Sequence, residues 1–101
     1  MDSKIFSVLE NLGLEERETK IYMIMITRGD LTAMQVSKEA RIDRTTTYDI
    51  LERLIDKGIV SSTIKNKTKH FSVLSPKQLL IYFKEKYSSL QTIIPELTSL
   101  T

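Results

Sequence analysis

The feature that most constrains this chain lies between Thr32 and Leu74: two short helical periods, a three-residue break, and then two β-prone stretches. Thr32 opens the first period. Its hydroxyl is placed to accept from the Gln35 amide while the Gln35 side chain reaches back, the spacing of a capping box. Met34 or Ala33, with Val36 and Ala40, supplies a short apolar face. After the break at Arg41–Ile42–Asp43, a longer helix is predicted to about Lys57, capped by Asp43 or a neighbour and ended by Gly58. Its inward face reads Thr47, Ile50, Leu51, Leu54 and Ile55, at helical steps. Ile59 to Ile64 and Lys69 to Leu74 follow, joined by Lys65–Asn66–Lys67–Thr68. Asn66 tolerates positive φ, so this stretch predicts a hairpin. Two helices joined by a short turn and followed by a hairpin describe a winged helix-turn-helix.

The flanks supply three more helices. The first covers about Ser3 to Leu12, with Ile5, Val8, Leu9 and Leu12 on one face and Gly13 at its end. The second runs from about Glu16 to Arg28 and stops at Gly29–Asp30. Its apolar residues Ile21, Tyr22, Ile24, Met25 and Ile26 occupy more than one face, as in a central helix packed on both sides. Ser75–Pro76–Lys77–Gln78 predicts the start of the last helix, with serine as cap and proline at the first position. Within it Leu80, Phe83, Tyr87, Leu90, Ile94 and Leu97 recur at steps of three and four, a heptad seam by which two helices bury a shared stripe. Packing on its own domain would use the same stripe, but the helix runs well past the predicted core, which favours dimerisation. Pro95 lacks a backbone donor and is expected to kink the helix near residue 91. The expected fold is mainly α with a small β-hairpin: a winged helix-turn-helix over residues 1–75 and a C-terminal dimerisation helix over residues 76–101.

Composition narrows the function classes. A chain of 101 residues supports a single domain with one modest core. It has no cysteine, which removes disulfide and thiolate chemistry and is compatible with the cytoplasm. The runs Ile21 to Ile26 and Leu79 to Phe83 are too short to cross a bilayer, and no apolar h-region follows Asp2, so neither a membrane partner nor a secretory signal is expected. Net charge is only +2, but it is unevenly spread. Residues 1–40 hold 5 Lys/Arg against 7 Asp/Glu, whereas residues 41–70 hold 7 against 4. The excess positive charge therefore coincides with the second helix of the motif and the hairpin, where a phosphate backbone would meet it.

On the outward side of that second helix stand Arg44, Thr45, Thr46, Asp49 and Arg53. Arginine can bond the guanine acceptors bidentately, and threonine offers a hydroxyl and a methyl group. Tyr48 can bond a phosphate through its hydroxyl, or simply pack on the core. Lys65, Lys67, Lys69 and His70 gather in the hairpin, where a wing would lie along the sugar-phosphate backbone. The same lysines would also keep an exposed hairpin soluble. An enzyme is poorly supported: His70 is the single histidine, the carboxylates are scattered, and there is no glycine-rich phosphate loop. No metal and no cofactor are expected. The competing reading is a winged helix used for protein–protein contact, which would need no positive charge on both the helix and the hairpin.

Several of these residues together resemble a known family. Leu12–Gly13–Leu14, Glu18 and Tyr22 look like its opening signature. Ile42, Arg44–Thr45, Tyr48, Leu51, Leu54 and Lys57–Gly58–Ile59–Val60 look like its recognition-helix segment, and Phe71 to Pro76 resembles the stretch that leaves its wing. The chain is similar over nearly its whole length to the DNA-binding domain of the TrmB-like transcription regulators, mostly archaeal. The resemblance implies a winged-helix domain that binds operator DNA as a homodimer paired through its C-terminal helix. Arg44, Thr45 and Tyr48 match the family's DNA-facing motif. There are departures. Glu15 stands where threonine is usual, which predicts a looser start to that helix; Asp43 stands where proline is frequent and Thr47 where valine is. Thr46 occupies a variable, often basic position, and the wing lacks the glycine often found there. Many relatives continue into a larger effector domain, often for sugars, so a chain ending at Thr101 is either a small regulator or part of a longer protein.

Overall fold

A computed structural model describes residues 3–101; the readings made at Met1 and Asp2 lie outside the described residues. The elements in chain order are α1 (Ser3–Leu12), α2 (Glu16–Arg28), β1 (Leu31–Thr32), α3 (Ala33–Ala40), α4 (Arg44–Asp56), β2 (Val60–Lys65), β3 (Thr68–Val73) and α5 (Lys77–Ser99). The helix limits follow the punctuation in the sequence. Gly29 and Gly58 take φ of 87° and 76° just past α2 and α4, a region glycine enters without a Cβ penalty. Thr32 and Gln35 close the capping box at the start of α3, with the Gln35 amide 3.2 Å from Thr32 Oγ1. Ser75 Oγ accepts from the Lys77 amide at 3.3 Å and starts α5, which continues through Pro95.

The β-structure is a three-stranded antiparallel sheet in the order β1-β3-β2. The hairpin is tighter than the sequence suggests. Lys65 pairs with Thr68, and Asn66 and Lys67 form a two-residue turn with φ of 50° and 66°. Positive φ at both positions gives a turn whose twist matches that of the strands. Lys67 thus stands in the backbone conformation for which glycine is the usual choice. β1 is an addition to the expected hairpin. It pairs Leu31 with Phe71 and Thr32 with His70, but two residues are too few to show an alternation in the sequence.

The core lies where α2, α3, α4 and the inner face of the sheet meet. Ile21, Met25, Val36, Ile50, Leu51, Leu54, Ile59, Val60 and Phe71 are all buried in it. Each large apolar side chain so buried contributes about 1.5–3 kcal/mol. At the start of α3 it is Ala33 that is buried, while Met34 is exposed. The face expected of α1 is only partly used. Leu9 is buried and Phe6 packs on the core, but Ile5, Val8 and Leu12 remain 45%, 47% and 52% exposed. The protein measures 55 × 30 × 25 Å, and the long dimension reflects α5. Leu79, Tyr82 and Phe83 rest half-buried against the core, and from Lys84 onward every α5 residue is exposed.

Candidate nucleic-acid interface

The site is built on the turn between α3 and α4. Arg41 ends α3 in the left-handed conformation, and its amide bonds the Ser37 carbonyl. The chain then presents the Ile42 carbonyl to two hydroxyls, Ser37 Oγ of α3 and Thr47 Oγ1 of α4 at 3.3 Å. Thr47 is fully buried, so its hydroxyl does work at this position that a valine could not do. Asp43 caps α4, its carboxylate accepting from the Thr46 amide at 3.0 Å. That bond is the main reason the Asp43 carboxyl is held below its ordinary value, and Arg17 of α2 adds a smaller electrostatic pull. Proline would supply no such cap. The start of α2 is likewise closed without threonine, because Glu18 Oε1 accepts from the Glu15 amide at 3.0 Å.

This geometry fixes which side chains face outward. Arg44 and Thr45 are exposed in the first turn of α4, and Arg44 enters no ion pair among the described residues. Thr46 is half-buried. Tyr48 is 38% exposed, its ring edge-on to Phe71 with centroids 6.1 Å apart. Its ring therefore rests on the core edge beside the wing while the outer part reaches solvent. Further along, by helical spacing, the outward face carries Asp49, Glu52 and Asp56, all exposed. Positive charge thus belongs to the start of α4 and not to its length. Asp49 can only accept, as from a cytosine amine. Arg53 lies on the side toward α2, 3.5 Å from Glu15 and 3.8 Å from Glu18, apart from the Arg44–Thr45 turn.

The sequence treats the wing cations as one cluster; the strands separate them. Lys69 shares a sheet face with Phe71, and its amine lies 3.0 Å from Glu52 of α4 and 5.5 Å above the Phe71 ring. Lys65 and His70 belong to the opposite face. There Lys65 bonds Asp30, and His70 Nδ1 lies 3.5 Å from the same carboxylate. Lys67 is at the tip and enters no ion pair among the described residues. Sequence reasoning passed over Asp30, Glu52 and Arg17, because their neighbours are set by sheet order and helix packing rather than by local spacing.

Two residues of the family-like motifs prove to hold the frame. Glu18 is fully buried, and Lys57 Nζ bonds both its oxygens at 2.8 and 2.6 Å, tying α2 to the end of α4. The same amine lies 5.6 Å from the centroid of the Tyr82 ring, so this junction also reaches α5. Among the described residues no group of three His, Cys, Asp or Glu side chains is placed to hold a metal ion.

A capped helix pair pinned at its turn, followed by a two-residue-turn hairpin, is the winged helix-turn-helix architecture of transcription regulators. The chain belongs to the TrmB family, described as "Sugar-specific transcriptional regulator TrmB", which matches residues 9–77. It is 32% identical over 60 residues to the uncharacterized protein YrhO of Bacillus subtilis (strain 168), a match that covers 59% of this chain and 22% of YrhO. It is 27% identical over 85 residues to the HTH-type sugar sensing transcriptional regulator TrmBL1 of Pyrococcus furiosus, a match that covers 84% of this chain and 25% of that protein. The chain therefore spans about a quarter of the length of these relatives. Its fold superposes on TrmBL2, an archaeal chromatin protein, with a TM-score of 0.78 and 20% identity, covering 96% of this chain and 37% of that one.

Proposed function

We propose that the protein is a transcription regulator that binds double-stranded DNA as a homodimer, with α4 in the major groove and the β2–β3 wing along the backbone. The observation that carries this reading is the first turn of α4. Arg44 and Thr45 project there, both exposed and Arg44 without an ion pair among the described residues, from a helix start that a cap and two hydroxyl bonds fix. Base readout needs this arrangement of a guanidinium and a hydroxyl on a fixed element. Tyr48 on α4 and Lys67 and Lys69 on the wing are the candidates for backbone contacts, with Thr46 and Asp49 beside the base-facing positions. Arg53 contributes through the frame, since Glu15 and Glu18 engage it. In this division residues 1–75 meet DNA and residues 76–101 join two copies. The partner surface on α5 is Leu80, Tyr87, Leu90, Ile94 and Leu97, each between 46% and 72% exposed. Phe83 is already half-buried on its own core and anchors the root of the helix. The reading assigns no catalytic role to His70 or to any carboxylate. No helix among the described residues is long and apolar enough to cross a membrane, consistent with a regulator working in the cytoplasm.

The test is titration into a fluorescent random-sequence duplex, followed by anisotropy at several salt concentrations. Binding is expected to weaken steeply with salt, with a log–log slope of about −0.9 per neutralised phosphate. Absence of binding at low salt would leave the fold in service of a protein partner instead.

A further inference from the structure

Three of the four basic side chains of the wing, Lys65, Lys69 and His70, are not free to meet phosphate. Alternation along β3 sends Lys69 to the face that packs on α4 and His70 to the other, and the register places Lys65 on the His70 side. Each face is supplied with one carboxylate. Glu52 Oε1 lies 3.0 Å from the Lys69 amine; Asp30, in the turn before β1, bonds Lys65 and lies 3.5 Å from His70 Nδ1. Lys65 sits at the tip end of β2, whereas Asp30 precedes a strand whose first pair is with Phe71, three residues back from the tip pair at Thr68. The lysine therefore folds back along the sheet, away from the tip. Its hydrogen bond is the largest cause holding the Asp30 carboxyl below the ordinary carboxylate value, so this anion is present at neutral pH.

We propose that Asp30 and Glu52 act as internal stand-ins for DNA phosphate, engaging Lys65, His70 and Lys69 in the free protein and competing with the backbone for them. The inference rests on the DNA-binding reading and adds a brake to it. Docking the wing on DNA requires these pairs to open and leaves two carboxylates near phosphates that repel them. Phosphates carry no sequence information, so the cost falls equally on every duplex and lowers the sequence-independent part of binding. That leaves occupancy more dependent on Arg44 and Thr45. The opposite possibility has the opposite sign: if Asp30 and Glu52 position the wing for DNA, removing either would weaken binding.

The experiment compares the full chain with Asp30→Asn, Glu52→Gln, Lys65→Met and Asp30→Asn/Lys65→Met. Glu10→Gln, at an exposed position of α1, makes the same change in net charge outside the wing. All are titrated into a random-sequence duplex at fixed salt, with thermal melts to establish folding. Exposed ion pairs are weak, so each acid-to-amide change should tighten binding about 1.5- to 5-fold beyond the Glu10→Gln control. The gain should be the same on duplexes of different sequence, and the Asp30→Asn gain should shrink in the Lys65→Met background to the part that comes from His70 and from repulsion between Asp30 and phosphate. Glu52→Gln carries the test alone if Asp30→Asn fails to fold. Affinities equal to the control, or weaker, overturn the proposal while leaving DNA binding intact. Absence of binding by every protein, the unaltered chain included, overturns the DNA-binding reading itself and this inference with it.

Discussion

The carbonyl oxygen of Ile42 receives hydroxyls from both helices of the helix-turn-helix pair, Ser37 from α3 and Thr47 from α4. This places polar atoms inside a turn that apolar residues could fill, and it sets how α4 leaves α3. Thr47→Val keeps the side-chain shape and removes one of the two donors. Because Ser37 still satisfies the carbonyl, the expected loss is about 1 kcal/mol by urea denaturation. Ser37→Ala/Thr47→Val leaves the carbonyl unpaired and should cost more than the two single changes added together. Two residues away the consequences move from stability to recognition. Arg44 has no ion pair among the described residues, so its removal should leave the melting temperature nearly unchanged. If it reads guanine, Arg44→Ala loses about 1–3 kcal/mol of binding and relaxes preference at one base position. Equal loss on all duplexes would make it a phosphate contact.

Among the elements, α2 and α4 are joined by a buried ion pair as well as by apolar contact. Glu18 is fully buried, and Lys57 supplies its close partner while Arg53 stands 3.8 Å away. Removing one member of a buried pair strands the other, which typically costs about 3–5 kcal/mol. Lys57→Met should therefore destabilise strongly, whereas Glu18→Gln/Lys57→Met should recover part of the loss, measured by denaturant melts of all three variants. A Lys57→Met cost under about 1 kcal/mol would mean that Arg53 or water already serves Glu18. The helices themselves were legible in the sequence, because Gly29 and Gly58, the Thr32–Gln35 box and the spacing of Ile50, Leu51 and Leu54 are local signals. The Arg44–Thr45 turn was legible for the same reason. What escaped depends on packing between distant segments. β1 has only two residues to show a period, and Glu52 reaches Lys69 only once α4 lies beside β3. The face Ile5–Val8–Leu9–Leu12 is legible in the sequence as an apolar stripe, yet in the fold only Leu9 of it is buried, since periodicity marks an apolar face without saying what covers it.

For the whole molecule, the projecting end of α5 poses the largest unsolved solvation problem. Beyond Phe83 it carries Tyr87, Leu90, Ile93, Ile94 and Leu97, with Leu100 just past its end, all exposed, and every residue of the helix from Lys84 onward is exposed. An isolated stretch of that length is marginally helical in water, so a partner that covers it would stabilise its structure as well as its surface. In the proposed dimer a second copy would do this by pairing the seam with itself about a two-fold axis, which would set the two α4 helices toward half-sites about one or more helical turns apart. Leu90 lies mid-seam and is 51% exposed, so Leu90→Asp should leave the head folded and place two carboxylates against each other in the proposed dimer. Light scattering is then expected to show monomers, and DNA binding should weaken because the two heads no longer act from one body. A Leu90→Asp protein that remains dimeric would move the interface to the exposed stripe of α1, where Val8→Asp would be the variant that separates the copies.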